Sequence, residues 1–138
     1  MKYMLMVLGS QADYDAMAGK ASADNPAWSE AEVKAMFDHM GALNNDLAES
    51  GEWVDGQGLT EPRLTRFVTA GPDGAPVVSD GPYGESKEVL AGYWIVDVAD
   101  FARAAEIAAR AYACPAPAGA PNYPVVIRPV DSASGTEM

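Results

Sequence analysis

Two segments with helical periodicity, each lying between runs that read as strands, restrict this chain more than any other feature. Lys2–Leu8 is short and apolar and ends at Gly9, the pattern of a strand buried on both faces. Ser29 and Glu32 have capping-box spacing, which satisfies two otherwise unpaired N–H groups at a helix start. Val33, Met36, Phe37, Met40 and Leu47 then share one helical face, and Gly51 offers a C-terminal cap. The spacing predicts a helix over Ser29–Ser50 with its apolar stripe against a sheet. Trp53–Leu59 follows as a strand weakened or bulged by Gly56 and Gly58. Arg63–Thr69 alternates, Gly71-Pro72-Asp73-Gly74 turns, and Pro76–Ser79 returns as a short hairpin. Glu88–Val98, rich in β-branched and aromatic residues, reads as a long strand. Asp100 can cap a helix over Phe101–Tyr112 with Ile107 and Ala111 inward, and Pro115, Pro117 and Pro121 end it. Tyr123–Val130 is the last strand.

The resulting order is β-α-β-β-α-β with an inserted hairpin, an α+β chain of the ferredoxin-like split type. At 138 residues one domain is expected, over 1–130, with 131–138 as a frayed tail. Residues 9–28 lack periodicity and read as an irregular connection, either holding a short helix or forming a lid. Two helices cover one face of such a sheet. The other face still carries apolar side chains, and a second copy of the chain is the simplest cover.

Charge narrows the partners. Lys and Arg number 9 against 20 Asp and Glu, a net charge of −11, and the basic residues are scattered. Nucleic acid and anionic membranes both call for clustered cations, so neither is expected as a partner. No run approaches the roughly 18 apolar residues of a membrane span, and Tyr3–Leu8 is too short for a signal-peptide core of about 7–15 residues. Cys114 is the only cysteine, so no intrachain disulfide is expected, and a cytoplasmic location fits a lone thiol.

One stretch carries more specific information. Asp80-Gly81-Pro82-Tyr83-Gly84-Glu85-Ser86-Lys87-Glu88-Val89-Leu90-Ala91-Gly92-Tyr93 resembles the signature of the YCII-related proteins of the DGPF type. Tyr83 stands where that pattern has Phe, and Ala91-Gly92 where it has Gly-Gly. The closing Ile127-Arg128-Pro129-Val130 is similar to the family's final Val-Arg-Pro, and the opening Lys2-Tyr3-Met4-Leu5 also matches. The resemblance implies a dimeric α/β barrel, two ferredoxin-like sheets closing around a shared interior. It implies a family in which most members have no assigned reaction. The wider group includes a dehydrochlorinase of a chlorinated aromatic with a His–Asp pair, and DGPF-type domains occur beside extracytoplasmic-function sigma factors.

Asp80, at the signature position, is a candidate general base; alternatively it organises the turn by bonding backbone two residues on. Lys87, with Glu85 orienting it, can hold an anionic group or stabilise developing negative charge, or the cluster with Glu88 is a solvated hairpin. Tyr83 and Tyr93 are candidates to contact substrate, Tyr93 or Trp94 to line a pocket, and Gly92 for close backbone approach. His39 is the only histidine, the residue type suited to proton transfer near neutral pH. It lies at the boundary of the helix's apolar face, about one residue from the place of the wider group's catalytic His, so a structural hydrogen bond is its alternative role. Arg128 can fork onto a carboxylate or form an ion pair.

No Cys/His cluster suggests zinc, no Gly-rich loop precedes a helix, and no nucleophile elbow is present, so no cofactor is expected. The methionines, Met1, Met4, Met6, Met36 and Met40 among them, read as core filler. The chain is expected to be a homodimer with a small-molecule pocket inside the barrel. Acid–base chemistry, lyase- or isomerase-like, on a small aromatic or carboxylated compound is the enzyme reading. A non-catalytic ligand-binding or regulatory accessory to a sigma factor is the alternative.

Overall fold

The computed structural model describes residues 1–81, 84 and 86–132. Strand β1 (Lys2–Gly9) leads through helix α1 (Gln11–Met17) to helix α2 (Glu30–Ser50) and strand β2 (Trp53–Gly58). After a 3₁₀ turn at Pro62–Leu64 come β3 (Arg66–Ala70), β4 (Pro76–Asp80), β5 (Val89–Asp97), α3 (Phe101–Tyr112) and β6 (Val126–Pro129). Four strands form one antiparallel sheet in the order β2-β5-β1-β6, and β3 with β4 forms a separate hairpin. That strand order makes the fold ferredoxin-like.

The capping chemistry acts as the residues suggest. Ser29 Oγ accepts from Glu32 N–H at 3.2 Å while Ser29 N–H donates to the Glu32 carboxylate at 2.8 Å. Gly51 closes α2 in the left-handed conformation at φ 77°. Asp100 caps α3 through Arg103 N–H at 3.0 Å. Along β1, Tyr3, Leu5 and Val7 turn toward the helices and join Leu43, Leu47, Trp94, Val96 and Ile107 in the core. α3 buries Ala104 and Ala108 beside the expected Ile107 and Ala111. Helices α2 and α3 are tied by His39 Nε2 against the Arg110 carbonyl at 2.8 Å and by Arg110 Nη1 to Asp46 at 2.6 Å.

Several elements depart from the sequence reading. The 9–28 connection is not irregular throughout and takes the short-helix alternative, because Ser10 and Asp13 form a reciprocal cap of their own. The predicted strand Arg63–Thr69 starts later, since Pro62 begins a 3₁₀ turn and the Thr65 N–H bonds back to the Pro62 carbonyl at 3.0 Å. The last strand is shorter than Tyr123–Val130: Pro124 has no N–H to give, and β1 pairs only with residues Val126–Pro129. The stripe of α2 is buried only at Leu43 and Leu47; toward its N-terminus Val33, Met36 and Met40 are half-exposed and Phe37 is 63% exposed. The helix therefore docks by its C-terminal half and stands off the sheet at the other end.

Candidate functional site

That stand-off leaves a cavity of about 530 Å³ between the helices and the sheet. Its floor is the helix-facing side of β1 and β5, at Val7, Gly92 and Trp94, with Trp53 of β2 beside them. Met36, Phe37 and Met40 of α2 form one wall, α1 with Trp28 another, and Tyr112, Pro121 and Tyr123 a third. All three tryptophans of the chain line it.

Backbone geometry makes room for these rings. A Cβ on Gly56 would lie 2.5 Å from the Trp53 indole, so glycine there allows the ring to fold back over its own strand. A Cβ on Gly92 would lie 3.0 Å from the Gln57 carbonyl, the close approach expected for that residue. The Trp94 indole N–H is held by Asn44 Oδ1 at 2.7 Å, which orients both side chains.

Three polar side chains of the lining, Asp13, Tyr14 and Tyr123, come from α1 and the segment before β6. Tyr14 donates its hydroxyl to the Leu59 carbonyl at 2.9 Å, and burial pushes its pKa up. Asp13 Oδ2 accepts from Ser10 N–H at 2.8 Å, and the Asp13 N–H donates to Ser10 Oγ at 3.1 Å. The Tyr123 hydroxyl lies beside the Asp13 carboxylate. Burial, followed by that carboxylate, pushes Tyr123 up to about 12, against the opposing effect of a Ser10 hydrogen bond. Tyr123 is thus held neutral at any ordinary pH, beside a carboxylate that is itself anchored on a helix cap.

Of the candidates singled out in the sequence, Gly92, Tyr93 and Trp94 are among the lining residues, and the Tyr93 hydroxyl donates to Asp55 Oδ2 at 2.8 Å. That bond raises the Tyr93 pKa. Asp80 is exposed at the end of β4, opposite Arg66 in the hairpin register. Lys87 is exposed, with its N–H on the Gly84 carbonyl at 3.1 Å. Arg128 is exposed on β6 beside Met4. His39 serves the helix–helix contact described above. Tyr83 and Glu85 lie outside the described residues. The expected barrel interior and the cavity found are on opposite faces of the same sheet.

Sequence reasoning missed Asp13, Trp28, Trp53, Asn44 and Tyr123, and treated Met36 and Met40 as filler. Only the Ser10–Asp13 spacing was a usable signal; the remaining residues come from distant parts of the chain. Among the described residues no three His, Cys, Asp or Glu side chains are grouped to hold a metal ion. No described helix is long and apolar enough to cross a membrane.

A small α+β domain with a helix-side cavity is the class that fold and geometry define. The model of the YCII-related domain matches residues 1–126, and the chain belongs to that family. A search of curated proteins found no match.

Proposed function

We propose that the chain binds a small, flat, largely apolar molecule in the cavity between the sheet and α2. The observation that carries this reading is an aromatic chamber of about 530 Å³, a volume within the usual range for ligand sites, with Asp13 as the only carboxylate among its described lining residues. Acid–base chemistry on the bound molecule would fall to Asp13 and Tyr123, the polar pair that faces the chamber. Asp80 and Lys87, exposed at a distance along the chain, fit a contact surface better than a reaction centre.

The partner in this reading is a second copy of the chain. The sheet face away from the helices carries Met4, Met6 and Ile95, with Val126 40% exposed beside them. Every residue of β3 and β4 is exposed, and a two-stranded sheet is marginal in water without packing. A dimer would cover both. Sedimentation should show a dimer that Met6→Glu converts to monomer; a monomeric wild type refutes this part.

Because the tryptophans surround the chamber, intrinsic fluorescence reports occupancy directly. A panel of neutral, basic and acidic aromatic compounds should contain members that quench saturably and raise the melting temperature by mass action. Met36→Phe, which narrows the chamber, should weaken both effects. A folded wild type that responds to no member of the panel refutes the binding reading.

A further inference from the structure

The charge of the chamber selects among ligands. Among the described lining residues Asp13 is the only ionisable acid, and no Lys, Arg or His joins it. Carboxylates elsewhere on α1 and α2 already have cations: Asp15 has Arg63 at 3.7 Å, Asp38 has Lys34 and Asp46 has Arg110. Asp13 instead accepts from a neutral donor, the Ser10 amide, with the Tyr123 hydroxyl beside it. The Ser10 hydrogen bond leaves acceptor capacity on a carboxylate, which offers about four lone-pair sites. Asp13 is half-buried, where a charge without a counter-ion is costly.

The walls complement a cation as well. Trp28, Trp53 and Tyr112 present aromatic groups around the same space, and ring faces attract organic cations. The net charge of −11 raises the local concentration of cations and lowers that of anions. A carboxylated ligand would meet Asp13 with no cation to offset the repulsion.

We infer that the ligand is an organic cation, a flat apolar body bearing a protonated amine whose N–H groups donate to Asp13. This rests on the chamber being a binding site. The test uses three probes of one shape at neutral pH: 2-phenylethylamine, 2-phenylethanol and 3-phenylpropanoate, titrated against tryptophan fluorescence. The amine should bind about tenfold or more tightly than the alcohol, as a charged hydrogen bond exceeds a neutral one, and the carboxylate should bind weakest. Asp13→Asn, which keeps an oxygen for the Ser10 amide, should remove the amine's advantage over the alcohol. Tyr123→Phe, which removes a neutral donor but not the charge, should preserve that advantage.

The wild-type ranking decides the matter even if a variant does not fold. An alcohol that binds as tightly as the amine, or a carboxylate that binds tighter, overturns the inference and leaves the chamber a binding site. Silence from all three probes, together with the rest of the panel, overturns both.

Discussion

Glu52 and Arg103 join the end of α2 to α3 through a two-pronged contact. Arg103 Nε donates to Oε2 and Nη2 to Oε1, each at 2.8 Å. The hydrogen bonds from Arg103, first among the causes, hold the Glu52 carboxyl at about 2 against its ordinary 4.5. At about 1.36 kcal/mol per tenfold change, the gap bounds the stabilisation near 3.4 kcal/mol. The Arg103 side chain is 43% exposed, so water screens the pair and about 1–2 kcal/mol is the expected share. Because the folded carboxyl is the stronger acid, its contribution is complete above pH 4.5 and is lost as pH falls through about 2. Urea unfolding of the wild type, Glu52→Gln, Arg103→Met and the double variant at pH 7 should give a coupling of about 1–2 kcal/mol. Repeated at pH 2.5, the gap between wild type and Glu52→Gln should shrink. The difference between the two proteins isolates Glu52 from the other carboxylates that titrate in the same range. A coupling under about 0.3 kcal/mol at pH 7, or a gap that does not change on acidification, refutes the reasoning.

Leu43 is 1% exposed at the docked half of α2, and Leu43→Ala should cost about 2–5 kcal/mol in chemical denaturation. Met36 borders the chamber instead, and Met36→Ala should cost markedly less by the same measurement. Ser29→Ala removes the cap on Glu32 N–H and should cost about 1 kcal/mol, read as a lower urea midpoint with unchanged slope. Gly56→Ala forces the Trp53 ring away, so it should destabilise by about 1–3 kcal/mol and shift the fluorescence maximum. An unaltered spectrum would place Trp53 elsewhere.

Much of the architecture was legible because its signals are local. Ser29 with Glu32, Gly51 and Asp100 mark helix ends through hydrogen bonds made within a few residues. The continuous apolar run of β1 marks a strand, whereas the turning of Tyr3 and Leu5 to the helices and Met4 and Met6 away from them is seen only in the fold. From the order of elements followed the ferredoxin-like arrangement, and from the Asp80–Tyr93 stretch the family. What failed was equally physical. The stripe Val33, Met36, Phe37 and Met40 has the same periodicity as Leu43 and Leu47, but periodicity names a face and not what lies opposite it. Only packing decides that one half of α2 meets the sheet and the other half borders an empty chamber. Likewise Asp13 and Tyr123, or Trp28, Trp53 and Trp94, carry no mark of mutual proximity in the chain. They converge because antiparallel register and the return of α3 bring distant segments to one end of the sheet, and that convergence is a property of the folded structure alone.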